Sequence, residues 1–413
     1  MKILFTVADA NLRGGTEILA FHLLHELNAC GVECRLLSVA PYRGDDPMVV
    51  SFAKSDYEEW ARLLANPLNK LKGCDRSDAR LCQMISAKAE ELGAEWIINH
   101  TYDICAAIPT DGRLKTAQVF NWSIRGYESS LENIIRKKGF VGRVLSMMGL
   151  NAQRARWHKA LPAFTRLVML TDAAHDEIKE VCPSVVDEQL ATIPDPLMQK
   201  EDSKALTSLQ NKNVVFVGRL SHEKGVMRLL RIWERVNKHL SGYTLNIYGT
   251  GDCRAEMQEW LEAKGLEYVE EASPNVNTRK LSANLSINYS SEGGSKEKNI
   301  VIFKGFCNDL AEIYTNADLL LMTSDSEGFG MVLIEAMYYG VPCITFDCPV
   351  SPKEIIADAG IAVPCFDEER YADEVVKLLC EPERMKMLQQ NAVKRAGEYY
   401  IDKVVGLWKN MMQ

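Results

Sequence analysis

Residues 318–340 read DLLLMTSDSEGFGMVLIEAMYYG, and this stretch decides the fold. Asp318–Met322 is one acid followed by an unbroken apolar run, the mark of a strand buried on both faces. Ser324 to Gly330 is a turn-forming string with glycine at 328 and 330. From about Gly330 the pattern is helical until Gly340, and Pro342 beyond it cannot continue a helix. Strand, glycine turn and helix together are the repeating unit of a parallel sheet covered by helices. Ligands of such sheets gather beyond the carboxyl ends of the strands, where this turn sits. The glycines let a ligand approach the backbone, and the new helix offers unpaired N–H groups that suit phosphate. Glu327 in the turn and Glu335 in the helix stand eight residues apart. Carboxylates repel phosphate, so their natural partners are hydroxyls, which a ribose diol and a hexose supply.

The same rhythm extends outward. Asn213–Val217 predicts a strand, and GRLSHEKG, residues 218–225, predicts a turn into a helix. Arg219 and Lys224 project there at the carboxyl edge of the sheet. A bidentate guanidinium and a mobile ammonium are what a departing diphosphate requires for neutralisation. Tyr243–Tyr248, Ile300–Lys304 and Val341–Phe346 are further strands. Before them lies a first series at Lys2–Val7, Cys34–Val39, Glu95–Ile98, Thr116–Phe120, Arg166–Leu170 and Leu190–Ile193, with Gly14–Gly15 as its first glycine turn. Pro194–Asp195–Pro196 and the polar residues after it separate the two series. The fold class expected is α/β, with two doubly wound Rossmann-like domains facing a central cleft. The domains are residues 1–195 and 196–399, with a helix at about 400–413 packing back on the first. Tyr268–Asn299 departs from the rhythm as a polar stretch, either a floppy surface insertion or an ordered flap or partner contact.

The composition is an ordinary globular balance. Of 413 residues, 47% are hydrophobic and 25% charged, and the net charge of −8 argues against a nucleic-acid binder. MKILFTVADA is not a signal peptide, and no run is long and apolar enough to span a membrane. The expectation is a cytoplasmic protein. The 12 cysteines include no CxxC and read as reduced core thiols. No DxD triplet or metal-ligand cluster is apparent, so no metal and no cofactor is expected.

The ExxxxxxxE spacing, the surrounding EGFGMVLIEAMYYGVPCI and the upstream GRLSHEKG closely resemble the family-four, or group 1, retaining glycosyltransferases. Gly14-Gly15-Thr16-Glu17 resembles that family's N-terminal glycine turn, and Tyr248-Gly249-Thr250-Gly251-Asp252 its second glycine turn. Ile193-Pro194-Asp195-Pro196 resembles its interdomain hinge, with Asp195 where Asn is more usual. The resemblance implies the GT-B fold and transfer of a sugar from a nucleotide diphosphate with retained anomeric configuration. It also implies roles. Arg219 and Lys224 hold the donor diphosphate. Glu327 binds the transferred sugar, and Glu335 the ribose diol. Gly328 and the backbone of Phe329, Gly330 and Met331 meet sugar and phosphate. Gly249 and Gly305 line the nucleotide, with the base edge near Gly305, while Gly14 and Gly15 close over the diphosphate. Cys348 to Ile356 resembles a sub-pattern of relatives using UDP-hexoses or UDP-N-acetylhexosamines, which favours UDP.

The acceptor side departs from the pattern. Relatives place a histidine after the strand corresponding to Thr116–Phe120, whereas this chain reads Phe120-Asn121-Trp122-Ser123. Either Asn121 substitutes, or His100, after the preceding strand, takes the role. The partners implied are a nucleotide diphosphate sugar and a glycan or lipid-linked acceptor. Other functions open to this sequence are a GT-B-fold sugar-nucleotide epimerase and a non-catalytic nucleotide-sugar-binding protein. Residues 133–171 hold eight Lys or Arg and no acid. Interleaved with bulky apolar residues, they are expected to meet an anionic membrane surface at the inner face of the cytoplasmic membrane.

Overall fold

A run of six residues, KILFTV, opens the chain as β1 (Lys2–Val7), buried at every position after the first. A strand covered on both faces in this way belongs to the middle of a parallel sheet. The computed structural model describes residues 1–12, 14–65, 76–136, 139–199, 205–271, 298–348 and 352–413. Around β1 lie β2 (Glu33–Ser38), β3 (Val49–Ser51), β4 (Trp96–Asn99), β5 (Lys115–Phe120), β6 (Arg166–Met169) and β7 (Leu190–Thr192). The sheet order is β3-β2-β1-β4-β5-β6-β7, and every described pairing is parallel. A second sheet holds β8 (Asn213–Val217), β9 (Thr244–Tyr248), β10 (Tyr268–Glu270), β11 (Ile300–Gly305), β12 (Leu319–Met322), β13 (Cys343–Phe346) and β14 (Gly360–Val363). Its order is β10-β11-β9-β8-β12-β13-β14, again parallel throughout.

The chain divides into two compact units, Met1–Met198 with Ile401–Gln413, and Gln199–Tyr400. The last helix, Ile401–Met412, belongs to the first unit because Val404, Val405, Trp408 and Met412 join the core of Phe5, Leu24 and Trp96. Trp96 Nε1 donates to the Met412 carbonyl at 3.3 Å. The second core is built on the helix Val226–Val236, whose Val226, Leu229, Leu230, Ile232, Trp233 and Val236 are all fully buried. β3, β10 and β14 lie outside the sequence expectation. Each sits beside or at a sheet edge, is three or four residues long, and lacks a continuous buried face. Of the polar stretch Tyr268–Asn299, β10 takes the start, and residues 272–297 lie outside the described residues.

Two expectations need correction. Cys30, Cys365 and Cys380 are exposed, so the thiols are not uniformly core residues. The basic stretch 133–171 is also less free than its sequence suggests. Arg154 pairs with Glu132 at 2.8 Å, Arg156 with Asp78, and Arg166 donates to the Glu188 carbonyl. Ile135, Leu150 and Trp157 are core residues. What the helix Phe140–Ala160 leaves outside is a stripe at one-turn spacing: Phe140 at 79% exposure, Val144 at 45% and Met148 at 54%, beside exposed Arg143. Lys137, Lys138 and the side chain of Arg136 lie outside the described residues. Among the described residues no helix is long and apolar enough to cross a membrane.

Candidate functional site

The second sheet sets β8 between β9 and β12, so the loops leaving these three carboxyl ends lie side by side. The loop after β8 carries GRLSHEKG, and the loop after β12 carries TSDSEGFG. They are laced together by backbone and side chain. Asp325 N donates to the Glu223 carbonyl at 2.8 Å. Thr323 Oγ1 donates to the carbonyls of Lys224 at 3.0 Å and Gly225 at 3.2 Å. Gly225 is left-handed at φ +64, and a Cβ there would stand 1.9 Å from the Thr323 carbonyl oxygen, so glycine is the residue that allows this approach.

At the centre of this contact Lys224 Nζ donates to both oxygens of Glu327, each at 2.8 Å. Ser324 Oγ donates to Glu327 Oε1 at 2.5 Å. The Glu327 side chain is 9% exposed and that of Lys224 24%. A carboxylate withdrawn this far from water requires such hydrogen-bond partners. Behind them Arg228 Nη1 donates to the Thr323 carbonyl and to Asp325 Oδ1, both at 2.8 Å. Its guanidinium lies 4.1 Å from the Phe366 ring centroid. Arg219 stands apart: it is exposed and pairs with Glu223 at 3.5 Å.

Glu335 lies in the helix Met331–Tyr338, which starts from left-handed Gly330 at φ +93. Burial pushes its carboxyl up to about 7, with the Tyr314 hydroxyl beside it pulling the other way. Phe329 turns its ring into the core, 4% exposed and edge-on to Tyr399, so only its backbone is available at the turn. Gly249 follows β9 and packs between the loops after β8 and β11. Its N–H donates to the Gly305 carbonyl at 2.7 Å, and a Cβ on it would stand 1.9 Å from the Gly218 carbonyl oxygen. The Gly305 carbonyl is therefore already engaged, and Phe306 next to it is 71% exposed.

In the N-terminal unit, both acceptor-side candidates line one pocket of about 140 Å³. Thr16, Glu17, Tyr102, Asp103, Trp122 and Tyr127 share its wall. Asn121 Nδ2 donates to the His100 carbonyl at 3.2 Å. The His100 ring is 5% exposed, lies against Phe5 and Trp408, and neither nitrogen has a hydrogen-bond partner among the described residues. Burial drives its pKa down to about 3, so the ring is neutral at physiological pH. Gly14 caps the helix Gly15–Ala29 in extended backbone. A Cβ on Gly14 would meet Glu17 Oε2 at 2.6 Å, whereas Gly15 has open space around it.

Sequence reasoning missed Arg228, Ser324 and Tyr314. Ser324 was within reach, since it lies three residues before Glu327 on one turn. Arg228 carried no local signal, because its partners lie 95 and 97 residues away.

Residues 294–395 match the family model for glycosyl transferases group 1. The amylovoran biosynthesis glycosyltransferase AmsD of Erwinia amylovora is 31% identical over 203 residues, which are 49% of this chain and 48% of that protein. The chain thus spans about half the length of the curated relatives it matches first. Among solved structures, the lipopolysaccharide outer core galactosyltransferase WaaB in its apo form aligns over 100% of this chain and 99% of its own. Its TM-score is 0.65 at 15% identity. Anabaena HepE in complex with UDP and glucose aligns over 100% and 98%, with a TM-score of 0.64 at 14% identity. The sequence match thus lies on the segment that carries Glu327 and Glu335, which is similar to group 1 glycosyltransferases, and the fold of the whole chain is GT-B.

Proposed function

We propose that this protein is a retaining glycosyltransferase that moves a hexose or N-acetylhexosamine from a UDP-sugar to a glycan or lipid-linked acceptor in cell-surface polysaccharide assembly. The observation that carries the reading is the partly buried Lys224–Glu327 pair, held by Ser324 and Thr323 at the carboxyl ends of β8 and β12. It joins an ammonium for the diphosphate to a carboxylate for sugar hydroxyls. The names of the relatives support the same direction, since they speak of amylovoran, of lipopolysaccharide outer core and of UDP with glucose.

In this reading the C1–oxygen bond to the diphosphate breaks through an oxocarbenium-like transition state. The acceptor hydroxyl oxygen bonds to C1 on the same face, and its proton passes to the departing phosphate oxygen. Arg219, Lys224 and the N–H groups at the Gly330–Met331 helix start stabilise the anion that develops. Glu327 accepts from sugar hydroxyls, Glu335 from the ribose diol, and Gly328 and Phe329 contribute backbone. Gly249 and Gly305 shape the nucleotide edge, where exposed Phe306 offers a face to the base. On the acceptor side burial makes His100 too weak a base to take up a proton at physiological pH, so Asn121 and the polar wall of its pocket orient the acceptor. No metal ion is needed for this chemistry. The exposed stripe Phe140, Val144 and Met148 with Arg143 supports contact with an anionic membrane surface.

A thermal-shift and calorimetry panel of UDP, GDP and ADP, followed by their sugars, tests the reading. UDP is expected to bind and to raise the melting point. Equal or no response to all three nucleotides overturns the donor assignment.

A further inference from the structure

Between Arg219 and Lys224 stands a histidine that donor binding leaves unused. His222 is exposed, and its Nε2 lies 3.8 Å from Glu256 Oε2. Cys253 sits beside both. A ring nitrogen, a thiol sulfur and a carboxylate oxygen, one from each residue, all lie within 4.8 Å of one another. Nothing in the local sequence announces this set, because His222 leaves β8 and the other two follow β9.

The frame beneath the three side chains is fixed by backbone contacts. Leu220 N donates to the Thr250 carbonyl at 2.9 Å, and Cys253 N donates to the Leu220 carbonyl at 3.0 Å. A Cβ on Gly251 would stand 2.3 Å from the Leu220 carbonyl oxygen, so the two loops touch with no side chain between them. Cys253 caps the helix Arg254–Lys264, and Glu256 lies in its first turn. Their relative placement is therefore set by helix geometry. Cys253 is 4% exposed and packs in the domain core, giving the set a dry floor, while exposed His222 and Glu256 leave an open approach from solvent.

The donor atoms choose the metal. A thiolate disfavours magnesium and calcium, which take oxygen ligands. Sulfur, imidazole and carboxylate together suit zinc, whose open sites use three protein ligands and a water. Tetrahedral bonds of about 2.0–2.3 Å set ligand atoms about 3.3–3.8 Å apart. The His222–Glu256 separation of 3.8 Å is a few tenths of an ångström above the ~3.3–3.5 Å that nitrogen and oxygen ligands take, and the closure is within reach of side-chain rotation.

We propose that His222, Cys253 and Glu256 form a zinc-binding site, with water in the fourth position, that ties the Arg219–Lys224 turn to the helix after β9. The site stands on its own ligands and is separate from the donor reading. The full-length protein, freed of metal by a chelator and kept reduced, is titrated with zinc against a chromophoric competitor. One zinc per chain is expected. Its affinity should fall at least tenfold in His222→Ala and in Glu256→Gln, both exposed positions, and it should be lost in Cys253→Ser. Cobalt in place of zinc should give a near-ultraviolet thiolate charge-transfer band that Cys253→Ser abolishes. Melting points of the metal-free variants, and their response to UDP, check that fold and donor site persist. Absence of stoichiometric zinc, unchanged affinity in His222→Ala and Glu256→Gln, or a cobalt spectrum without the band overturns the proposal. A wild-type protein that binds zinc but ignores UDP would instead remove the donor reading and leave the zinc site standing.

Discussion

UDP affinity should depend on pH through Glu335. Burial raises this carboxyl from 4.5 to about 7 in the ligand-free protein. The difference corresponds to about 3 kcal/mol in favour of the protonated form. A ribose diol donates to the charged carboxylate and restores the solvation that burial removed, so binding lowers the value and releases a proton. Below pH 7 that proton must be expelled first, at a cost of about tenfold in affinity per pH unit. If the diol returns the group fully to its ordinary value, UDP binds about 50- to 100-fold more weakly at pH 5 than at pH 8. The nucleotide phosphate also titrates, near about pH 6. Glu335→Gln shares that titration but not the carboxyl, so the ratio of the two proteins' affinities isolates Glu335. The stability of the ligand-free fold runs the opposite way with pH. A folded value above the unfolded one gives stability that is full below pH 4.5 and lost as pH rises through about 7. Calorimetry at several pH values, in buffers of different ionisation enthalpy, measures both affinity and proton release. A wild-type to Glu335→Gln ratio that stays flat from pH 5 to 8 would refute the argument.

Other expectations follow from the same contacts. Arg219→Ala should cut turnover by orders of magnitude with the fold intact, about 3–4 kcal/mol at the developing anion, and near-normal kinetics would remove it from the clamp. Lys224→Ala should do the same and also destabilise the protein, by about 3–5 kcal/mol, because it strands the Glu327 carboxylate. The double change Lys224→Ala with Glu327→Gln should recover most of that stability in denaturant unfolding. Glu327→Gln alone should spare UDP and weaken only the sugar-bearing donor, measured by calorimetry with both ligands. Side-chain cations and the helix start do the chemical work of a metal, so any activity lost in EDTA should return with zinc, and a loss restored by magnesium or manganese but not by zinc would count against the mechanism. Phe140→Ser with Val144→Ser should reduce sedimentation with anionic liposomes, and binding should fade with salt. Equal recovery on neutral vesicles would leave the stripe to another role.

The sequence by itself determined the two parallel sheets and the turns that bear the chemistry. Their signals are local: an apolar run such as Asp318–Met322, a glycine turn such as Ser324–Gly330, then a helix ended by Gly340. Each is written within about twenty residues and needs no distant partner. The short strands β3, β10 and β14 escaped because, at or near the sheet edges, they bury no continuous face. Only the tertiary structure decided which turns meet. The order β9-β8-β12 brings Lys224 to Glu327, Arg228 to Asp325, and His222 to Cys253 and Glu256. It also decided charge state and availability. Burial holds His100 neutral and raises Glu335, while Asp78 and Glu132 occupy arginines that the sequence left free. Strand order and burial arise from contacts between segments far apart in the chain, and no local pattern of residues encodes them.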